Sequence, residues 1–209
     1  MTTSARALLV ALALVVTLPL AADAHFSLMA PASWLVENQL GDPQKAAPCG
    51  TSAATSGTPT GVVGKAIGGS TLHLKVNETV YHPGHYRVAL AVNSRTELPA
   101  DPPAETRETA RGAWSIRAAI QDRAQPPILA DGLWKHHTRP ASPWEADIVL
   151  PNINCEKCTL QIIQFMEEHA LNREGEFSYH HCADLQITAD PKKPIDRRWP
   201  GQTGARGTR

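Results

Sequence analysis

Alternation with a period of two residues, cut repeatedly by proline and glycine, limits what this chain can fold into. In residues 71–76, Leu72, Leu74 and Val76 alternate with His73 and Lys75; in residues 86–92, Tyr86, Val88, Leu90 and Val92 fall on one side. That spacing lines one face of an extended strand and does not suit an amphipathic helix. Residues 146–150 make a third such segment, ending at Pro151, and residues 159–166 a fourth, rich in Ile, Leu and Phe. His181, Ala183, Leu185 and Ile187 share a face of a last strand that stops before Pro191. His82-Pro83-Gly84-His85 has the chemistry of a turn between the first two. Residues 114–125 alone hint at helix, and Ile116 and Ile120 suit a strand equally well. The expected fold is all-β: an antiparallel, immunoglobulin- or fibronectin-like β-sandwich with long loops, chiefly residues 41–70 and 94–111.

Three segments are expected. Residues 1–24 carry the marks of a secretory leader: Arg6, an apolar run over residues 7–20, and Ala22-Asp23-Ala24 as a cleavage sequence. The run is shorter than the roughly 20 residues that span a bilayer. Residues 25–190 hold the sandwich. Residues 191–209 are basic, rich in Pro and Gly and almost devoid of apolar side chains, and are expected to be disordered. Export, to the medium or the periplasm, makes two disulfides the expected state of Cys49, Cys155, Cys158 and Cys182, with three pairings open. The alternative is a zinc site built from Cys155-x-x-Cys158, Cys182 and His180 or His181. The formal net charge is zero, which argues against nucleic acid or an anionic membrane surface as the main partner.

Cleavage after Ala24 would make His25 the first residue. A terminal histidine offers its α-amine and its ring Nδ1 to one metal, closing a chelate ring, and an α-amine loses its proton near neutral pH. One further imidazole completes three nitrogens in a T, a set that suits Cu(II), while imidazole also tolerates Cu(I).

The stretch HFSLMAPASWL beginning at His25 resembles the mature start of lytic polysaccharide monooxygenases and their relatives. HPGHYRVAL (residues 82–90) resembles their H-x-G-x-[FY] segment. LPNINCEKCTLQIIQFM (residues 150–166) resembles their "LP…C…C-x-LQ" strand, and YHHCADLQI (residues 179–187) their closing "Y-x-x-C-A-D-[IL]" strand. The likeness is nearest to a bacterial polysaccharide-monooxygenase-like group and runs in order over most of residues 25–188, the long loops excepted. It implies one copper ion held by the amine and Nδ1 of His25 and by His82, with His85 the rival across the turn and Tyr179 at the axial position. It implies the disulfides Cys49–Cys182 and Cys155–Cys158. The second would need a turn or bulge at Glu156-Lys157, because a bridge between residues three apart does not fit a straight strand. The implied activity is oxidative cleavage of a β-linked polysaccharide, chitin- or cellulose-like, by a monomer fed by an external electron donor, with no membrane span.

One departure stands out. Active members often carry Gln or Glu two residues before the axial Tyr, and this chain has Phe177 there. Glu176, Gln161 and Gln164 (one on each face of the adjacent strand) and His181 on the Tyr179 face are the candidates to support the metal from outside its ligands. Three other functions fit the same residues: a secreted copper carrier or store, a glycan-binding module without catalysis, and an immunoglobulin-like interaction domain. His73 and His169 read as structural or solvated, His136 and His137 as an exposed loop, and Asp184 as structural.

Overall fold

A computed structural model describes residues 24–51 and 56–202. The expected leader, Ala24 apart, and the last seven residues of the expected tail lie outside the described residues. Ten strands follow in order: β1 (His25–Ala30), β2 (Val63–Ile67), β3 (Thr71–Val80), β4 (Gly84–Ala91), β5 (Ala104–Thr109), β6 (Gly112–Ala118), β7 (Ile128–His136), β8 (Trp144–Val149), β9 (Cys155–Met166) and β10 (Ser178–Thr188). A 3-10 turn at Arg95–Glu97 is capped by the Ser94 hydroxyl, which accepts from the Thr96 N–H.

The fold is an all-β sandwich. One layer has the order β1-β3-β8, the other β2-β10-β9-β4-β7, and β5 and β6 form a separate hairpin. The alternation seen in the sequence sets the packing. Leu74 and Val76 of β3 and Phe26 and Leu28 of β1 face Tyr86, Val88 and Leu90 of β4, Leu160 and Ile162 of β9, and Tyr179, Ala183, Leu185 and Ile187 of β10. Register places Tyr86, Gln164 and Tyr179 abreast across β4, β9 and β10, so the three share the inner face. The outer face of the same strands carries His85, Arg87, Gln161, His180 and Cys182.

Several elements differ from expectation. The 41–70 segment contains β2, which runs parallel to β10, so the larger sheet is mixed. β5 lies within the expected 94–111 loop, and β6 occupies the start of the segment that hinted at helix. β7 breaks its own alternation: Gly132 and Trp134 have left-handed backbone (φ 68° and 47°), and the pairing with β4 shifts register three times. A bulged strand loses the period-two pattern that would announce it.

The tail is the largest correction. Residues 191–202 pack onto the sandwich. The Asn152 side chain donates to the carbonyls of Asp190, Lys193 and Pro194 and accepts from the Asp190 N–H. Gln202 bonds both backbone groups of Asn154, and Trp199 is buried in the core. Composition alone could not show that one tryptophan and a carbonyl-binding asparagine hold this segment.

Both disulfides are formed, Cys49–Cys182 and Cys155–Cys158. Because no cysteine is free among the described residues, the cysteine-based zinc alternative is closed. Leu185 pairs with Cys158 and Ile187 with Cys155, so β9 holds one extra residue at Glu156-Lys157: the bulge that the short bridge needs. No helix among the described residues is long and apolar enough to cross a membrane. Removal of the Trp199 side chain should leave a cavity at the core's edge. Trp199→Ala is expected to lose about 3 kcal/mol or more of unfolding free energy in a urea titration, against no loss if the segment were solvated.

Candidate metal centre

β1 is an edge strand, paired only with β3. Its other edge would leave backbone groups open, and side chains take the place of the absent neighbour. The Phe26 N–H donates to Gln44 Oε1 (3.0 Å), His181 Nε2 donates to the Phe26 carbonyl (2.9 Å), and the Leu28 N–H donates to Glu37 (3.2 Å). Glu37 in turn lies 3.2 Å from His181 Nδ1. Burial pushes the Glu37 carboxyl up to about 7, partly offset by the Ser33 hydroxyl and the Leu28 N–H. Burial also holds His181 down to about 4, against the pull of the Phe26 carbonyl. At mildly acid pH the pair is therefore neutral: Glu37 carries a proton that it can donate to Nδ1, while Nε2 keeps its own for Phe26. These contacts fix the strand that begins at His25.

From His25 a row of rings crosses the end of the sandwich. The centroid of His25 lies 5.5 Å from that of Tyr179, Tyr179 lies 6.3 Å from His169, and His169 lies 4.8 Å from His82, each pair edge-to-face. His82 occupies the turn between β3 and β4. The glycine of H-x-G is required there because a Cβ on Gly84 would stand 1.9 Å from the Phe165 carbonyl oxygen of β9. Burial and the neighbouring His169 lower the His82 imidazole to about 4, so it is neutral at neutral pH, the form that binds metal.

His169 is a member of this row that sequence reading took as structural or solvated. Ser115 of β6 sets its position. The Ser115 N–H donates to the His169 carbonyl (2.9 Å), the His169 N–H to Ser115 Oγ (3.0 Å), the Glu168 N–H to the Ser115 carbonyl (2.9 Å), and Ser115 Oγ to the Met166 carbonyl (2.7 Å). No local motif marks His169, because its partner comes from a hairpin about fifty residues earlier.

Behind the row lies Glu78, the last inward residue of β3. Its Oε1 accepts from Tyr86 Oη (3.0 Å) and Gln164 Nε2 (3.0 Å) and lies 2.8 Å from His136 Nε2. Burial works against charge on His136, but the Glu78 carboxylate and the Trp134 carbonyl outweigh it, and the imidazole is raised overall. His136 is thus a buried ion-pair partner and not part of an exposed loop; His137, beside Glu167, is exposed.

The remaining candidates separate by face. Gln164 stands opposite Tyr179 on the inner face, whereas Gln161 points outward and donates to the Pro48 carbonyl beside Cys49–Cys182. Glu176 is exposed on a turn with left-handed backbone (φ 49°), away from the rings. His85 packs on Phe165 on the outer face, 5.3 Å between centroids, and is not brought to the row. His180 bonds Asp101 outside the sheet, and Asp184 pairs with Arg95.

Among the described residues no group of three or more His, Cys, Asp or Glu side chains is arranged to hold a metal ion. A brace needs two imidazoles and one backbone amine, so the donor set to test is smaller. His82 turns Nδ1 towards the Pro83 carbonyl (3.4 Å), and the Glu167 backbone also pulls on its ring. His25 turns Nε2 towards Asp42 (3.4 Å); Nδ1 is the ring nitrogen that can chelate with its own amine. That amine exists only once the bond to Ala24 is cut. Along the row, His25 and His82 are the two imidazoles of that donor set, with the rings of Tyr179 and His169 between them.

The folded state keeps the Glu37 proton to about pH 7, while an unfolded carboxyl releases it near 4.5. The stabilisation from protonated Glu37 is therefore complete below pH 4.5 and lost as pH rises through 7. Glu37→Gln, which keeps both hydrogen bonds without titrating, is expected to gain in Tm relative to the wild type between pH 4.5 and 8; a constant gap would contradict the buried-acid account. Comparison with family models and with curated proteins finds no match.

Proposed function

We propose that removal of residues 1–24 turns His25 into a terminal residue that holds one copper ion together with His82, and that the loaded protein oxidatively cleaves a β-linked polysaccharide after export. The observation that carries this reading is the row His25–Tyr179–His169–His82, which joins the residue after the Ala-x-Ala sequence to the turn histidine of H-x-G. Bound copper would supply one-electron redox chemistry, drawing electrons from an external donor. His25 would bind through its α-amine and Nδ1, and His82 through Nε2. Tyr179 would lie beside the ion's ligands, its ring edge-on to His25. His169 directs Nδ1 at the Ala170 carbonyl, which fixes its ring between Tyr179 and His82. Gln164, abreast of Tyr179 and bonded to Glu78, would hold the floor of the site.

A second reading, a copper carrier or store using the same grip, is favoured by one observation. His25 and His82 are 6% and 9% exposed, and among the described residues no exposed large apolar side chain is aromatic. Among the described residues Trp34, Tyr81, Trp114, Trp134 and Trp144 are half-buried and the other aromatic rings buried, so no flat ring is fully displayed for stacking on sugars.

The test uses protein starting at His25. One equivalent of Cu(II) is expected to bind. Loss of an outer-shell partner costs a metal site about 10–100-fold, so acetylation of the terminus or His82→Ala should cost on the order of 100-fold or more, and His85→Ala little. Copper binding indifferent to acetylation would sink both readings. Given binding, oxidised oligosaccharides released from chitin or cellulose under ascorbate select the enzyme; their absence selects the carrier.

A further inference from the structure

An imidazole beside its own α-amine can close a chelate only through Nδ1, because Nε2 lies on the far side of the ring. Which nitrogen carries the proton is decided by what the other faces, so a terminal histidine needs something to hold a proton on Nε2. The chain provides a carboxylate there: Asp42 Oδ2 lies 3.4 Å from His25 Nε2, with the His25 side chain 7% exposed and that of Asp42 32%.

The carboxylate is held by a frame built on β1 itself. Asn38 Oδ1 accepts from the Asp42 N–H (3.0 Å) and the Leu40 N–H (2.8 Å), and the Asn38 N–H donates to the Asp42 carbonyl (2.9 Å). Gly41, with left-handed backbone (φ 98°), lies so close that a Cβ would stand 2.0 Å from the Phe26 carbonyl oxygen. Gln44 receives the Phe26 N–H, and Thr79 Oγ1 of β3 donates to the Leu40 carbonyl (2.6 Å). Cys49–Cys182 ties the end of this loop to β10. The loop therefore touches β1 at the residue next to His25, and Asp42 moves with the strand whose first side chain it faces.

We infer that Asp42 is a positioning residue for the metal: it accepts the Nε2 proton of His25 and so reserves Nδ1, with the terminal amine, for copper. The inference rests on the brace reading and adds a residue to it. A carboxylate in this place also increases the electron density of the ligating nitrogen and offsets the charge of the bound ion.

The experiment takes protein starting at His25 as wild type, Asp42→Asn, Asp42→Ala, His25→Ala and, as a control, Asp101→Asn, whose partner His180 lies on the outer face. Nitrogen-15 chemical shifts of the metal-free protein report the His25 tautomer, and a competition titration with a chelator reports Cu(II) affinity. The wild type is expected to carry its proton on Nε2 and the Asp42→Ala protein a mixture of tautomers. Its copper affinity should fall about 10–100-fold, the usual effect of removing an outer-shell partner, with Asp42→Asn, which still accepts but lacks the charge, falling less. Asp101→Asn should match the wild type. Asp42→Asn keeps the shape of the side chain and serves if Asp42→Ala does not fold. A wild-type His25 protonated on Nδ1 overturns the inference. So does an unchanged tautomer and affinity in the Asp42 variants while His25→Ala abolishes binding; that result leaves the brace standing. Wild-type protein whose copper binding is indifferent to His25→Ala removes the brace, and the inference falls with it.

Discussion

A carboxylate shut between two sheets must be matched by donors, or its desolvation, several kcal/mol even after relaxation, opposes folding. Three groups from three strands of the opposite layer converge on Oε1 of Glu78: Tyr86 of β4 and Gln164 of β9 donate to it and His136 of β7 pairs with it, while the buried Oε2 has no hydrogen-bond partner among the described residues. Apolar contacts between layers tolerate small slides, but a buried polar cluster of this kind does not, since each shift strands a charged oxygen. The consequence reaches the candidate metal centre directly. β3 runs from Glu78 into the turn that carries His82, and Phe26, next to His25, sits opposite Glu78 in the β1–β3 register. The two imidazoles of the proposed brace are thus placed by strands locked through one carboxylate.

Chain ends are ordinarily the least ordered part of a domain, whereas a terminal chelate needs its first residue still. The fold meets this need with side chains. Gln44, His181 and Glu37 complete the free edge of β1, and the Gly41 backbone lies against it. The same contacts blunt an edge that would otherwise invite pairing with another strand.

The legible parts of the sequence were those governed by short-range pattern. β3, β4 and β10 show a two-residue period, because each has one face on a common core; β9 is marked by its run of Ile, Leu and Phe, and the Gly84 turn by Pro83 and by a glycine that cannot be replaced beside Phe165. The illegible parts depend on distant partners. β2 is five residues held by parallel pairing to β10, and β7 is bulged. His169 gains its place from Ser115, Glu78 is a charge at the end of an apolar row, and Asp42 acts through a loop whose composition resembles any surface loop. The cleavage sequence and the family resemblance named His25, His82 and Tyr179 as candidates; neither could reveal which groups pack against them, since hydrogen bonds between remote segments leave no period in the chain.

The packing of residues 190–202 has a bearing on when this protein can become itself. Trp199 closes the core and Asn152 is satisfied by carbonyls beyond residue 189, while the Cys49–Cys182 bridge spans 133 residues of chain. The bridge needs the chain as far as Cys182, and the Trp199 and Asn152 contacts need residues 190–199, so the late part of the chain closes the core that the earlier strands outline.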